Sequence, residues 1–306
     1  MGQLVAGRWV EGRVDATVDA KGRFVRQSSA FHGRLGSEDF PVEPGRYHLY
    51  AQWACPWSQR AMIVRKLKGL DGLVGFSSPH PHMLEGGWHF SDDDPDAVEG
   101  VHFVHELYTL AEPDYTGKVT VPVLWDKQRR TIVNNESSEI VRMLAHAFDG
   151  LGADPIDPYP QELAAEIDAF AQSFYDTVNN GVYRCGFARS QEAYEEAFDA
   201  LFQDLDRLER HLDGREWLVG DRLTLADVHL WPTLVRFDAV YVTHFKCNLR
   251  RLTEYPNLQA YTERLYAIPA FRETTSLHQI KQHYYVSHPT LNPKGIVPKG
   301  FQVPFE

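Results

Sequence analysis

The sequence contains little cysteine. Only three of its 306 residues are cysteines, Cys55, Cys185 and Cys247, and they lie far apart in the chain. A small, odd and scattered set excludes a disulfide framework, and a chain of this length can bury a sizeable core without such cross-links. The cysteine content therefore fits a protein of a reducing compartment, and we expect a cytoplasmic location.

The sequence also lacks long apolar runs and an excess of positive charge. It has no run of about 18 apolar residues, which a transmembrane helix would need, and its first residues carry charges where a signal peptide has its apolar region. It has 31 Lys and Arg against 42 Asp and Glu, which gives a formal net charge of −11. Because nucleic-acid binding needs a basic surface, we expect neither a nucleic acid nor a membrane as a partner.

Common cofactor and metal motifs are absent from the sequence as well. It has no P-loop, no Rossmann glycine fingerprint and no serine elbow of a hydrolase. Several histidines lie between residues 80 and 105, but their spacing matches no strong zinc pattern and no cysteine pair accompanies them. We therefore expect no metal site.

The patterns that are present predict two folded domains. From Tyr47 they predict the order β-α-β-α-β-β-α, and Asn135 is expected to open the last helix. This order predicts an α/β thioredoxin-like N-terminal domain with a small mixed sheet. From about Glu162, helical periodicity predicts an all-α C-terminal domain. The expected limits are an irregular extension over 1–45, a thioredoxin-like thiol-binding domain over 46–153, and a helical domain with a Pro/Gly-rich tail over 160–306.

Cys55 in "QWACPWSQR" is the first candidate for a reactive group. It stands between a predicted strand and a predicted helix, where the helix dipole and unpaired backbone N–H groups favour the thiolate, which is the nucleophile. Ser58 occupies the place of the second thiol in a C-x-x-C pair. Such a monothiol site can form a mixed disulfide, but its release needs a second thiol from solution. The open alternative is an inert, half-buried cysteine.

Two further segments favour a ligand beside this thiol. In "TVPVLW", a proline that opens a strand facing a thiol site is often cis, which would turn the Val121 backbone toward a peptide-like ligand. In "NNESSEI", the helix N-terminus and the Ser137 hydroxyl suit a carboxylate, and Glu136 suits an amino group. An edge-strand proline without a role and plain helix capping explain the same residues.

In the helical half, local sequence alone indicates structure more than chemistry. "LTLADVHLW" is a capping box with Thr224 as the cap and Asp227 three residues later. Tyr183, Tyr241 and Tyr284 are isolated in sequence, and tyrosines are most often amphipathic core or rim residues.

Several long segments carry a family resemblance over about residues 30 to 300. In chain order they are "CPWSQR", "GGWHF", "YTGKVTVPVLWDK", "TIVNNESSEI", "NNGVYRCGFA", "RFDAVYVTHFKCN" and "HYYVSH…NPKGIVPKG". Together they resemble the glutathionyl-hydroquinone reductases, the Xi class of the glutathione transferases. The resemblance implies the glutathione transferase fold, a homodimer and an enzyme that removes glutathione from S-conjugated hydroquinones. Such hydroquinones could arise from quinone detoxification, from lignin or chlorophenol breakdown, or from a pigment pathway. Cys55 would accept the thiol as a mixed disulfide.

The resemblance also assigns roles to individual residues. The thiol cofactor would be held by Trp88, Lys118, Val121, Glu136 and Ser137. The hydroquinone would be bound by Tyr183, Tyr241 and Tyr284, whose hydroxyls would hydrogen-bond its oxygens and help the ring to accept a proton.

The sequence departs from the family pattern beside the nucleophile. The family usually reads "CPWAHR" followed by Thr, whereas this chain has Ser58, Gln59 and Ala61 at the differing positions. Lys118 stands where the family often has Arg, and it offers a point charge instead of a two-pronged contact. These differences leave the thiol open between glutathione and mycothiol. We expect glutathione, because the two ligand segments suit a γ-glutamyl peptide.

Two other functions stay open. One is an Omega-type glutathione transferase or dehydroascorbate reductase, which also uses a cysteine. The other is a non-catalytic binding module on a transferase scaffold, which would keep the helical capping box but need no thiolate.

Overall fold

The computed structural model describes residues 2–12 and 18–300, and these residues divide into two compact units. The first unit contains residues 2–12 and 27–156, and the second contains residues 18–26 and 157–300. Residues 1, 13–17 and 301–306, which the predicted N-terminal extension and C-terminal tail include, lie outside the described residues.

The first unit is built on a mixed four-stranded sheet. The strands of this unit are β1 (Gly2–Val5), β2 (Arg8–Glu11), β3 (Tyr47–Tyr50), β4 (Gly75–Ser77), β5 (Val123–Asp126) and β6 (Thr131–Asn134). In the sheet order β4-β3-β5-β6, β4 runs parallel to β3, while β5 is antiparallel to both β3 and β6. Every residue of β3 and β5 is buried, so both faces of the sheet are covered.

Three α-helices accompany the sheet of this unit. With the strands from β3 onward they give the order β-α-β-α-β-β-α, so the predicted thioredoxin-like order is confirmed. They are α1 (Pro56–Leu67), α2 (Val104–Ala111) and α3 (Ser137–His146), and a short 3₁₀ turn over Leu70–Gly72 follows α1. Pro56 occupies the first position of α1, where its missing N–H costs nothing. Gly69 ends the helix in the left-handed conformation, with a φ of 61°. The packing of α1 against α3 brings the N-terminal turns of both helices into the same unit.

An N-terminal hairpin departs from the irregular segment that the sequence predicts. Strands β1 and β2 pair antiparallel around Ala6 and Gly7, which both have positive φ, as a two-residue I′ turn requires. A Cβ atom on Gly7 would lie 2.0 Å from the carbonyl oxygen of Pro113. Leu4 exchanges backbone hydrogen bonds of 3.0 Å with Gly117, so the hairpin is fixed to the segment before β5. The turn was missed because alanine is unusual at a left-handed position.

The start of α3 also differs from the prediction by one residue. Glu136, not Asn135, is the N-cap, and its carboxylate accepts a hydrogen bond from the Ser138 N–H. The Asn135 side chain is engaged elsewhere: its Oδ1 accepts from the backbone N–H of Phe31 at 3.0 Å, and its Nδ2 donates to Tyr108 at 3.0 Å. Asn135 therefore secures the N-terminal segment while Glu136 caps the helix.

The second unit is helical. Between Asp157 and residue 300 its α-helices are α4 (Ala164–Ser173), α5 (Gly181–Gly186), α6 (Gln191–His211), α7 (Leu225–Arg236), α8 (Val242–His244), α9 (Pro256–Ala267), α10 (Pro269–Glu273) and α11 (Leu277–Ser287). A 3₁₀ turn spans Leu252–Glu254. The predicted glutathione transferase layout, an α/β part followed by a helical part, is therefore confirmed.

The predicted capping box opens α7. Asp227 Oδ2 accepts a 2.8 Å hydrogen bond from the Thr224 N–H, and its Oδ1 accepts from the Leu218 N–H and the Tyr261 hydroxyl. Burial raises the pKa of Asp227, and these hydrogen bonds oppose that shift. The carboxylate thus joins three parts of the helical unit, which is the structural role that the sequence predicts.

Two π-helical turns interrupt the α-helical segments of the second unit. Tyr175–Asn179 lies between α4 and α5, and Phe237–Tyr241 lies between α7 and α8. Each extra residue in a π-turn rotates the helix face that follows, and such turns are frequent at functional sites. Here the turns precede Tyr183 and end at Tyr241.

Candidate active site

Cys55 occupies the N-cap of α1 with an extended backbone, and it is 8% exposed. Its Sγ accepts a hydrogen bond from the Ser58 N–H at 3.5 Å. The thiol in turn donates to the carbonyl oxygen of Val121 at 3.4 Å. The sulfur therefore meets the positive end of a helix on one side and the peptide group before β5 on the other.

The peptide bond between Val121 and Pro122 is cis, as the sequence predicts for a proline that faces a thiol site. Val121 belongs to one hydrophobic cluster together with Cys55 and Trp88. Of the predicted thiol-holding residues, the structure thus brings Val121 and Trp88 into the same cluster as the cysteine.

Trp88 is held by the long loop between β4 and α2. Its carbonyl oxygen accepts a 2.9 Å hydrogen bond from the Val104 N–H, which ties the loop to the start of α2. Gly86 and Gly87 precede it with φ values of 80° and 82°. A Cβ atom on Gly86 would lie 2.2 Å from the Phe103 ring, so the approach of this loop to Phe103 requires glycine.

Glu136 and Ser137 lie at the N-terminus of α3. The Glu136 carboxylate accepts from Ser138 through Oε1 at 3.1 Å and from the Ser29 hydroxyl through Oε2 at 2.9 Å. Ser137 is buried at the first position of the helix, and its Oγ accepts from the Arg60 guanidinium of α1 at 3.4 Å. A helix N-terminus of this kind suits an anionic group.

Lys118 lies on the segment that leads into β5 and is half-buried. Burial lowers the pKa of its ammonium group. Its carbonyl oxygen accepts a 3.2 Å hydrogen bond from Tyr115, which in turn packs against Phe31 and Tyr108. The backbone at Lys118 is therefore fixed by the aromatic core.

In the second unit, the three tyrosines that are isolated in sequence come together. The hydroxyl of Tyr284 lies 2.5 Å from that of Tyr183 and 3.1 Å from that of Tyr241. Phe245 packs against all three rings, with centroid distances of 5.4 to 5.7 Å. The cluster thus combines converging hydroxyls with an aromatic wall.

Burial affects the protonation of these hydroxyls, and a cation lies beside one of the rings. Burial raises the pKa of Tyr241 and of Tyr284 well above the usual value, so both remain protonated at neutral pH and can donate hydrogen bonds. The Arg26 guanidinium lies 4.9 Å from the centroid of the Tyr183 ring and donates to Asn180 Oδ1 at 2.9 Å. This cation contacts the face of the half-buried Tyr183.

Comparison with known proteins identifies the family. The glutathione S-transferase N-terminal domain model matches residues 54–147, and the glutathione S-transferase C-terminal domain model matches residues 191–264. The glutathionyl-hydroquinone reductase PcpF of Sphingobium chlorophenolicum is 54% identical over 303 residues, which cover 98% of this chain and 96% of that protein. The chain belongs to the Xi class of the glutathione transferases. It is an enzyme of the glutathionyl-hydroquinone reductase type.

Other relatives of this Xi-class chain agree with that assignment. The glutathionyl-hydroquinone reductase YqjG of Escherichia coli K12 is 48% identical over 313 residues, covering 98% of this chain and 95% of that protein. The glutathione-bound structure of YqjG superimposes with a TM-score of 0.90, covering 100% of this chain and 97% of that one at 45% identity. The family that the sequence motifs predict is therefore confirmed.

Three residues around the candidate sites of this Xi-class enzyme were not singled out from the sequence. Ser29 contacts Glu136, Arg60 contacts Ser137, and Arg26 contacts Tyr183. Arg60 stands inside the quoted "CPWSQR" segment, one helical turn after Pro56, and this position could have indicated its role. Ser29 and Arg26 lie in the N-terminal segment, whose low periodicity gives no such signal.

The histidine-rich loop between β4 and α2 and the two cysteines of the second unit are further reactive groups. His80 stacks on His89 at 5.0 Å, yet within residues 2–12 and 18–300 no group of three or more His, Cys, Asp or Glu is arranged to hold a metal ion. Burial and the neighbouring Cys185 raise the pKa of the Cys247 thiol. In the same described ranges, no helix combines the length and the apolar character needed to cross a bilayer.

Proposed function

We propose that this chain is a thiol-dependent reductase that removes glutathione from S-conjugated hydroquinones through a mixed disulfide on Cys55. The observation that carries the proposal is the single thiol at the N-cap of α1, with Ser58 in place of a resolving cysteine. The names of PcpF and YqjG, both glutathionyl-hydroquinone reductases, support the same reaction.

The reaction consists of a reductive cleavage of the carbon–sulfur bond followed by a thiol–disulfide exchange. The Cys55 thiolate attacks the thioether sulfur, an S–S bond forms, and the bond between sulfur and the ring carbon breaks. The electron pair of that bond passes to the ring carbon, which takes up a proton and gives the hydroquinone. A second glutathione thiolate then attacks the mixed disulfide, which releases glutathione disulfide and restores the Cys55 thiolate. In sum, the thioether sulfur and the sulfur of the second glutathione each give up one electron, the ring gains both, and Cys55 is unchanged.

The thiol would be bound by backbone and side-chain groups of the first unit. The peptide group of Val121 would pair with the cysteinyl backbone of glutathione, and the N-terminus of α3 with Ser137 would bind the γ-glutamyl carboxylate. Glu136 would accept from the γ-glutamyl amino group, while Trp88 and Lys118 would hold the remaining part of the tripeptide. Mycothiol has no γ-glutamyl group, but its N-acetylcysteine amide would still pair with Val121.

The tyrosine cluster would bind the ring. Protonated hydroxyls of Tyr183, Tyr241 and Tyr284 would donate hydrogen bonds to the hydroquinone oxygens, whose charge increases as the thioether bond breaks. Burial raises the pKa of Tyr241 and Tyr284, so each hydroxyl keeps its proton at neutral pH, which is compatible with this role.

The test is to supply a glutathionyl-hydroquinone or a mycothiyl-hydroquinone with its matching free thiol and to measure the free hydroquinone. Omission of the second thiol should leave an adduct that peptide mass spectrometry finds on Cys55. Cys185 and Cys247, which are 3% and 0% exposed against 8% for Cys55, serve as internal controls without an adduct. The proposal is wrong if neither conjugate loses its thiol, or if Cys55→Ala keeps the full rate.

A second candidate function is supported by another relative. The glutathione S-transferase omega-like 2 of Schizosaccharomyces pombe is 46% identical over 292 residues, covering 91% of this chain and 93% of that protein. An Omega-type activity would use the same thiol to reduce dehydroascorbate. Rapid dehydroascorbate reduction without turnover of either quinone conjugate would favour it over the first proposal.

The resemblance further supports a homodimer, and quinone detoxification is one cellular role that fits the proposed substrate. Light scattering at several protein concentrations would measure the assembly, with twice the chain mass of 35.0 kDa expected. Faster killing of cells that lack the enzyme by benzoquinone would support the detoxification role.

A further inference from the structure

The hydroxyl of Ser58 is an unusual feature of the α1 N-terminus. Ser58 is 0% exposed, and no described residue forms a hydrogen bond with its Oγ. Its backbone N–H, by contrast, donates to Cys55 Sγ at 3.5 Å. Leaving a buried hydroxyl unpaired opposes folding, so such a group calls for an explanation. The family pattern has Ala at this position, which would have avoided the problem.

The groups around Cys55 indicate that the Ser58 hydroxyl is needed when Cys55 is ionised. In the thiol form, S–H donates to the Val121 carbonyl oxygen at 3.4 Å. Loss of that proton removes the hydrogen bond and leaves a negatively charged sulfur facing the negative end of a carbonyl dipole. A thiolate in this place therefore requires additional donors, and the Ser58 N–H is one of them.

The position of Ser58 in the helix brings its side chain within reach of the sulfur. Cys55 and Ser58 are the N-cap and third residues of α1, the same positions that two cysteines occupy in a C-x-x-C redox pair. Side chains at these two positions can approach closely enough to form a disulfide. Rotation about the Cα–Cβ bond of Ser58 between staggered rotamers would turn Oγ toward Cys55.

We propose that Ser58 is a positioning residue for Cys55: its hydroxyl stays unpaired while Cys55 is a thiol and donates a hydrogen bond to the sulfur once it is a thiolate. The inference rests on the proposed function only in that Cys55 is the nucleophile. It gives this chain a thiolate donor that an Ala at the same position cannot supply.

The main test compares Ser58→Ala with the unchanged enzyme. The rate at which iodoacetamide alkylates Cys55 is followed by peptide mass spectrometry from acid to alkaline pH. At neutral pH, Ser58→Ala should react about tenfold more slowly. This corresponds to a displacement of the pH–rate profile by about one unit toward alkaline pH. At strongly alkaline pH, where the thiol is fully ionised in both proteins, the rates should converge.

A thermal measurement separates this role from a structural one. Because Ser58→Ala removes an unpaired buried hydroxyl, its unfolding temperature should rise while alkylation slows. Ser77→Ala, which removes a β4 hydroxyl bonded to His48 in the same unit, should leave the alkylation profile unchanged. An identical alkylation profile for Ser58→Ala and the unchanged enzyme would overturn the proposal, whatever the unfolding temperature.

A second variant tests the geometry. Ser58→Cys treated with the diazene oxidant diamide should form a disulfide with Cys55, in which both thiols lose hydrogen and the diazene becomes a hydrazine. The product loses two hydrogens in mass and resists alkylation. Two thiols that remain separately alkylatable would contradict the proposed approach of the side chains.

Alkylation requires no natural substrate, so its outcome is independent of the proposed function. If Ser58→Ala slows alkylation but neither hydroquinone conjugate is turned over, the proposed reaction fails and the role of Ser58 stands. If conjugates are turned over and alkylation is unaffected, the reverse holds.

Discussion

The two candidate sites present different kinds of chemical group. In the first unit, the candidate thiol-binding groups are largely backbone: the Ser58 N–H and the Val121 carbonyl beside Cys55, and the N-terminus of α3. In the second unit, the groups are side-chain hydroxyls of Tyr183, Tyr241 and Tyr284 on separate helices. Backbone groups suit a peptide-like thiol, and converging hydroxyls suit the oxygens of an aromatic ring. Substitution should therefore act differently on the two sites.

The largest effect is expected for Cys55→Ser. The hydroxyl is a far weaker nucleophile than the thiolate, so kcat/KM for a glutathionyl-hydroquinone should fall by about 10³-fold or more. The tyrosine cluster should be unaffected, because its hydrogen bonds lie within the second unit. Binding of a free hydroquinone, measured by calorimetry, is the control. Retention of even a tenth of the activity would mean that the reaction does not depend on this thiol.

Tyr284→Phe should give the next largest effect. Its hydroxyl bonds to those of both Tyr183 and Tyr241, so its removal should lower kcat/KM by about 10²-fold, within the range for loss of a positioned proton donor. The rate of Cys55 alkylation should stay the same. A parallel loss of alkylation would show that the variant disturbs the thiol site, and the separation of roles would be wrong.

Acid should weaken both units through buried histidines, His48 in the first unit and the hydrogen-bonded pair His244 and His288 in the second. Burial lowers the pKa of His48 and of His244 to about 4, and each is hydrogen-bonded, to Ser77 and to His288 respectively. Because the unfolded chain binds the proton more tightly, this stability is complete above pH 6.5, the ordinary histidine value, and falls as the pH drops toward 4. Each histidine should cost about 3 kcal/mol across that window.

The measurement is the free energy of unfolding of the enzyme and of His48→Gln and His244→Gln as a function of pH. Glutamine can keep the hydrogen bond but does not titrate. Each variant should therefore flatten the dependence between pH 6.5 and about 4. Amide hydrogen exchange near pH 4 would show which unit of each variant is better protected than in the unchanged enzyme. Curves parallel to that of the unchanged enzyme would contradict the assignment.

The two regions also differ in how far the sequence predicts them. Cys55, Val121 and Glu136 are recognisable because strand ends, helix starts and prolines have local signatures. Even there the helix cap was displaced from Asn135 to Glu136, since Asn135 binds the distant Phe31 backbone. Local patterns do not reveal such a competing partner.

The tyrosine cluster could be predicted only through the family resemblance. Tyr183 and Tyr284 are 101 residues apart, and the π-turns over Tyr175–Asn179 and Phe237–Tyr241 rotate the helices that follow. A regular helical period does not include these turns, so it does not indicate that the side chains of Tyr183 and Tyr241 meet. Ser29 was missed for a related reason, because it acts in an irregular segment whose partner lies 107 residues away.

The smallest effect is expected for Ser29→Ala. Its hydroxyl donates to Glu136 Oε2 at 2.9 Å, and loss of one hydrogen bond to a charged group weakens the fixed orientation by about 1 to 2 kcal/mol. Because Glu136 would still bind the thiol, KM for glutathione should rise roughly fivefold to thirtyfold while kcat changes little. Ser37→Ala, which removes a hydroxyl bonded to the Arg34 carbonyl, should leave both constants unchanged. A fall in kcat without a rise in KM would mean that Ser29 acts on the chemical step, and the backbone character of the thiol site would need revision.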